Sequence, residues 1–278
     1  MPVRRARLIM SLSDVWWGEE LKKTLRSILM LASLAIFVFS AAQVWRILRG
    51  YEQAERQYAE LEQYVADEPP VVQPEPTASP TQPEEETEIS AAPAVDFEAL
   101  SQINDDIVGW LIVEGTQINY PVVQGSDNKY YLNHRFDKGY NSAGCLFLDA
   151  GNDPGLNDRN SIVYGHYMKN GSMFAGISEY KDEAFYRAHP SAWFITPDGA
   201  YTVDFFSGYV SDVGASAWDR EFSADGYGVW LEELKAKSCF SSDITPGIQD
   251  RVVTLSTCSY EFQNARFVLH GVAAKFGG

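Results

Sequence analysis

Ile28 to Trp45 run for eighteen residues without a charged side chain. In a helix rising ~1.5 Å per residue, this stretch and its continuation to Leu48 cross a hydrocarbon core of ~30 Å. Arg46 can snorkel to the interface, and Trp45 suits the aromatic belt. A buried core helix fits poorly, because the run has no polar face and charge flanks it. A cleavable signal peptide would use Ser40-Ala41-Ala42 as its site. Against that, apolar character continues past the site through Val44, Trp45, Ile47 and Leu48. Upstream lie Arg4, Arg5, Arg7, Lys22, Lys23 and Arg26, whereas Arg46, Arg49 and Arg56 downstream are interleaved with Glu52 and Glu55. The cation bias predicts a single-pass type II anchor in the cell membrane, with the N-terminus cytoplasmic and the remainder outside.

Five segments follow from the texture of the chain: a basic cytoplasmic segment (1–27), the transmembrane anchor (28–48), a helical stalk (49–66), a linker (67–95) and a folded domain (96–278). The stalk is rich in helix formers, with Tyr51, Ala54, Tyr58, Leu61 and Val65 along one face, and is expected to be solvated. The linker is built from Pro, Glu, Thr and Ser, and no Lys or Arg occurs between Arg56 and Lys129. Such a composition cannot bury a core and reads as an extended spacer.

The chain carries 38 Asp+Glu against 22 Lys+Arg, a net charge of −16, which disfavours binding to nucleic acid. Three scattered cysteines, with no C-x-x-C pair and no H-E-x-x-H, predict neither a disulfide scaffold nor a zinc site. Asp149, Asp153 and Asp158 lack EF-hand spacing, so a solvated loop is expected there. No metal and no cofactor are predicted.

After Asp96 short apolar runs alternate with turn clusters. Phe97–Val108 has helical spacing, with Gly109 as its expected C-cap. Strands are expected at Trp110–Val113, Asn119–Val123, Gly144–Leu148, Ser161–Tyr164, Trp193–Thr196, Tyr201–Val210, Val252–Ser256 and Arg266–Lys275. Eight short strands with few helices predict a mainly β domain, closed or nearly closed into a barrel. The long insertion Ser211–Asp250 carries an amphipathic stretch at Tyr227–Lys237, and an insertion of this length is commonly functional.

The strand Val252-Val253-Thr254-Leu255-Ser256-Thr257-Cys258 delivers a thiol at its end, and the next strand begins at Arg266. A hairpin would set a nucleophilic thiolate beside a fixed guanidinium able to stabilise an oxyanion. A proton-transfer partner is also needed. His166 follows the strand-like Asn160–Tyr164 and Gly165 and precedes a polar loop; His134 is its rival. His270 lies mid-strand and is expected to be structural, His189 to be solvated, and Cys145 to be a small buried hydrophobe.

The segment T-L-S-T-C at 254–258, with Arg266 eight positions on, resembles the catalytic end of sortases. N-S-I-V-Y-G-H-Y-M-K-N-G-S-M-F at 160–174 resembles the histidine segment of class B sortases, as do stretches at 107–124, 130–136 and 144–149. The resemblance spans 96–278 in order. It implies an eight-stranded sortase-type β-barrel with an N-terminal helix and a helix in the insertion before the cysteine strand. It further implies a cysteine transpeptidase of the peptidase type, with Cys258 as nucleophile, His166 as proton-transfer partner and Arg266 as oxyanion clamp. Ser256 and Thr257 would line the substrate site. The implied substrates are secreted proteins with a C-terminal sorting signal (Asn-Pro-x-Thr-like or related), cut after Thr. The implied acceptor is an amine of peptidoglycan, or a pilin lysine. A cysteine hydrolase using the same residues, or an inactive tethered binding domain, are the alternatives.

Overall fold

The computed structural model describes residues 19–66, 92–223 and 225–277. The chain divides into a unit up to Arg49 and a unit from Gly50 onward. Helix α1 runs over Glu19–Leu61 and contains one 18-residue window with mean hydropathy 2.1, none of it buried. Length and composition make it a candidate membrane span.

In the second unit eight strands close a barrel. They are β3 (Ile107–Val113), β4 (Ile118–Val123), β5 (Leu146–Leu148), β6 (Asn160–Tyr164), β7 (Ser191–Thr196), β8 (Gly199–Asp212), β9 (Arg251–Cys258) and β10 (Ala265–Lys275). Their order around the barrel is β10-β8-β7-β3-β4-β5-β6-β9, with β4/β5 and β6/β9 parallel and the other neighbouring pairs antiparallel. All eight expected strands are present. The interior is packed with Leu111, Phe194, Phe205, Val253 and Phe267, each fully buried, so the barrel holds a core and not a channel. The insertion carries α4 (Gly226–Lys237), whose Tyr227, Trp230, Leu231 and Leu234 build a second apolar cluster against the outer face of β8, β9 and β10 through Phe206, Val252 and Val268.

Three features depart from the sequence expectations. Helix α2 spans only Phe97–Ile103. Asn104 stops it: the side-chain amide donates to the Tyr131 hydroxyl at 2.9 Å and the Phe136 carbonyl at 2.8 Å, and its oxygen accepts from the Asp106 amide at 3.0 Å. Gly109 therefore lies in β3, where a Cβ would meet Phe194 at 2.5 Å and the Ile195 carbonyl at 2.9 Å.

Second, residues 50–66 are no solvated stalk. Ala54, Tyr58 and Leu61 are buried; the Tyr58 hydroxyl donates to the Gly144 carbonyl at 2.6 Å, and its ring packs edge-on to Tyr120 with centroids 5.1 Å apart. The spaced apolar face identified in the sequence is thus a barrel-facing stripe.

Third, β1 (Val65–Ala66) pairs antiparallel with β2 (Ala94–Val95), so the two ends of the Pro/Glu-rich run meet. The run does not separate residues 50–66 from the barrel; the run itself lies outside the described residues. A 3-10 helix at Phe174–Lys181 and helix α3 (Glu183–Ala188), neither visible in the hydrophobic pattern, fill the long β6–β7 connection.

Candidate active site

Register decides the geometry of the site. Cys258, the last residue of β9, is directly opposite Arg266 on β10. Parallel pairing of β6 with β9 runs up to Tyr164 opposite Ser256, and the Gly165 amide donates to the Ser256 carbonyl at 3.1 Å. His166 thus leaves β6 beside the thiol. Gly165 is needed there, because a Cβ would meet Leu146 at 2.5 Å and Phe174 at 2.7 Å. The Thr257 hydroxyl donates to the Gly165 carbonyl at 2.8 Å and ties the cysteine strand to the histidine turn.

His166 and Cys258 line the same cleft, and each shifts the titration of the other. The imidazole Nε2–H donates to the Leu132 carbonyl at 2.7 Å, so Nε2 keeps its proton and Nδ1 is the nitrogen free to exchange one. The neighbouring His166 imidazole, and then the Arg266 charge, hold the Cys258 thiol below its ordinary range against the opposing effect of burial. The neighbouring Cys258 thiol and the hydrogen bond to the Leu132 carbonyl raise His166, against burial and the Arg266 charge. Both shifts favour a thiolate–imidazolium pair. Arg266 makes one hydrogen bond among the described residues, Nη1 to the Ala265 carbonyl at 3.0 Å, and has no carboxylate partner there. Its remaining donors face a cleft of about 530 Å³, which His166, Ser256, Thr257, Cys258 and Arg266 line.

The site residues expected from sequence therefore come together in one cleft. Ser256 and Thr257 are almost fully buried, and Ser256 accepts a hydrogen bond from Trp218 Nε1 at 3.1 Å. His134 does not line the cleft: it stacks on Tyr130 at 3.9 Å between centroids. His189 is half-buried against Phe185 and under Gly115, where solvation was expected.

Sequence reasoning passed over Leu132, Asn128 and Trp218, which also line the cleft. The Leu132 contribution is a backbone carbonyl, invisible to any side-chain motif. Trp218 lies in the insertion, and its place depends on a buried chain of bonds. His270 Nδ1–H donates to Thr254 Oγ1 at 2.9 Å, Thr254 Oγ1–H donates to Asn160 Oδ1 at 2.6 Å, and Asn160 Nδ2 donates to the Asp219 carbonyl at 2.9 Å. Burial pushes the His270 imidazole down to about 3, so it serves this chain as a neutral ring.

The loop carboxylates are occupied by protein donors. Asp149 accepts from Asn128 at 2.7 Å and from the Tyr164 hydroxyl at 3.0 Å, and Asp158 from Asn152 at 2.7 Å. Among the described residues no cluster of three or more potential metal ligands forms, and Cys145, Cys239 and Cys258 are all free.

No family model matches the chain. It is 32% identical over 255 residues to sortase B of Listeria monocytogenes, covering 91% of this chain and 98% of that protein. The chain belongs to the class B sortases. It is also 37% identical over 163 residues to sortase B of Staphylococcus aureus, across 58% of this chain and 67% of that one. The structure of Bacillus anthracis sortase B in complex with AAEK1 matches with a TM-score of 0.67 and 33% identity, covering 82% of this chain and all of the other (100%). The S. aureus sortase B–substrate complex matches at 0.62 and 35% identity, over 65% and 85% of the two chains. Class B sortases are cysteine transpeptidases, and this sortase shares their closed eight-stranded barrel.

Proposed function

We propose that this sortase cleaves a C-terminal sorting signal of secreted proteins after Thr and transfers the acyl group to an amine of peptidoglycan or to a pilin lysine. The reading rests on one observation above all: a thiol and an imidazole lining one cleft, the thiol directly opposite a guanidinium that has no carboxylate partner among the described residues.

The Cys258 thiolate attacks the Thr carbonyl carbon, and Arg266 stabilises the oxyanion that develops. As the tetrahedral adduct collapses, His166 gives its Nδ1 proton to the departing amine, leaving a thioester on Cys258. The acceptor amine then attacks the thioester, its proton passes to His166, and the thiolate is expelled. Atoms, charges and the active pair are restored. Ser256 and Thr257 form the floor against which the acyl chain lies.

The apolar helix and the basic residues upstream of it support a type II membrane anchor with the barrel outside, where secreted substrates and peptidoglycan are found.

Mass spectrometry of the protein incubated with a panel of sorting-signal peptides, with and without an amine, tests this function. The expected products are a thioester on Cys258 and an amine-ligated peptide ending at Thr, both abolished in Cys258→Ala. Free acid alone, even with amine present, would make the protein a hydrolase. Turnover retained in Cys258→Ala would end the assignment of the nucleophile.

A further inference from the structure

Most of the cleft wall comes from the barrel and its loops, but Val213 and Trp218 belong to the insertion between β8 and β9. The pairing that places Cys258 and Arg266 does not fix that part of the wall. Its fastening lies further along the same sheet face. Register sets Cys258 opposite Arg266, Ser256 opposite Val268 and Thr254 opposite His270. Alternation puts all six side chains on one face of β9 and β10. Thr254 is four residues before Cys258, about 13 Å along an extended strand, and is out of reach of the reacting atoms.

Asn160, Thr254 and His270 are fully buried polar residues, contributed by β6, β9 and β10. Their bonds run in one direction. The single Thr254 hydroxyl proton goes to Asn160 Oδ1 at 2.6 Å, so the hydroxyl oxygen accepts from His270 Nδ1–H at 2.9 Å. With Oδ1 taken, Asn160 presents Nδ2 to the insertion. Nδ2 donates to the Asp219 carbonyl at 2.9 Å and to the Ala217 carbonyl at 3.4 Å. Those two carbonyls bracket Trp218. One residue earlier, the Ser216 carbonyl accepts from Trp230 Nε1 of α4 at 2.7 Å.

Two further contacts carry this fastening into the cleft. Trp218 Nε1 donates to Ser256 Oγ at 3.1 Å, two residues before Cys258 on the same face. Arg220 Nε lies 3.6 Å from the carboxylate of Asp149, which also holds the cleft-lining Asn128 and Tyr164. The Trp218 backbone is thus held by Asn160 and its ring by Ser256. The thiol and the imidazole are placed independently of this arm, by the β6–β9 pairing and the Leu132 carbonyl.

We propose that Thr254 and Asn160 are positioning residues for the sorting peptide, fastening the insertion arm so that Trp218 closes the cleft over Ser256. The inference rests on the transpeptidase reading above, because the acyl-donor peptide is what this wall holds. Neither residue lines the cleft, so each acts through Trp218. Without the Thr254 hydroxyl, Asn160 Oδ1 is buried with no donor, and the amide gains by turning away from the arm. The cleft then loosens while the reacting pair stays in place.

The full chain in detergent tests this with two readings. One is steady-state cleavage of a sorting-signal peptide that the unmodified chain turns over. The other is alkylation of Cys258 by iodoacetamide, located by peptide mass spectrometry, which needs the thiolate but no peptide site. Thr254→Val keeps the shape of the side chain and removes the hydroxyl. It should raise the peptide KM at least fivefold, with kcat and the pH profile of Cys258 alkylation changed less than twofold. Thr254→Ser, which keeps the hydroxyl, should return KM to within twofold of the unmodified chain. Trp218→Ala should raise KM by itself, and adding Thr254→Val to it should cost nothing further, since both act on one contact. Asn160→Ser, too short to reach the arm, is read in the same way if Thr254→Val does not fold.

An unchanged KM in the folded variant overturns the proposal, as does full additivity with Trp218→Ala or a Thr254→Ser chain no better than Thr254→Val. A parallel loss of Cys258 alkylation would make the buried chain a support of the thiol itself and would also sink it. Failure of both Thr254→Val and Asn160→Ser to fold would reduce the chain to a stabilising element. If the unmodified protein cleaves no signal peptide, the transpeptidase reading fails and the positioning role falls with it.

Discussion

The Arg266 charge acts on both Cys258 and His166, and the titrations of those two groups are linked. In the proposed mechanism the productive state is thiolate with imidazolium, so activity should rise as Cys258 loses its proton, at a pH below that of an ordinary thiol. It should fall as His166 loses its proton, above the ordinary imidazole range. The result is a bell-shaped profile of kcat/KM; a single rising limb that stays flat into the alkaline range would show that protonated His166 is not required. Arg266 lowers both groups, so Arg266→Ala should move both limbs to higher pH. It should also cost on the order of 10²–10³ in kcat if the guanidinium meets the oxyanion. Arg266→Lys keeps the charge but not the planar fork and should recover only part of that loss. An unshifted profile at full rate would leave Arg266 as a hairpin residue.

At the scale of elements, residues 50–66 carry the largest revision. Their apolar face is evident in sequence, but solvated and docked helices share the same periodicity. Only the presence of Tyr120 and the Gly144 carbonyl opposite Tyr58 makes it a contact. Removing such a buried aromatic side chain costs about 3–5 kcal/mol. Tyr58→Ala should therefore lower the Tm of the barrel unit by roughly ten degrees. A chain beginning at Gly50 should melt like the longer protein, and one beginning at Asp67 should melt well below it. Equal melting temperatures for the two truncations would return residues 50–66 to the role of a stalk. Helix α4 shows the opposite case: the amphipathic stretch at Tyr227–Lys237 becomes a helix over Gly226–Lys237, because its apolar face meets that of β8 to β10.

For the whole molecule, the arrangement to test is the orientation across the membrane. Basic residues cluster before the apolar run, and from Asp96 onward 24 acidic residues face 13 basic ones. Under the proposed topology the basic flank of the span stays inside, as the positive-inside rule requires. External protease added to intact protoplasts should digest the barrel and spare the N-terminal segment. Protection of the barrel until the membrane is broken would reverse the proposed topology.

Much of this protein is legible without coordinates. Short apolar runs bounded by turn clusters mark every barrel strand, several of them buried on both faces. The eighteen uncharged residues mark the candidate span, and Cys258, Arg266 and His166 stand at strand ends where a thiol, a guanidinium and an imidazole can meet. What sequence leaves open is register and partner. Cys258 opposite Arg266 depends on the β9–β10 pairing, and a slip of one residue would send one of them to the other face. The Leu132 carbonyl on His166, the chain from His270 to the Trp218 loop and the docking of Tyr58 join residues far apart in the chain. Local periodicity carries the identity of each element because it reflects burial of that element's own side chains. Contacts across the barrel depend on where other segments have already packed, and only the tertiary structure supplies that.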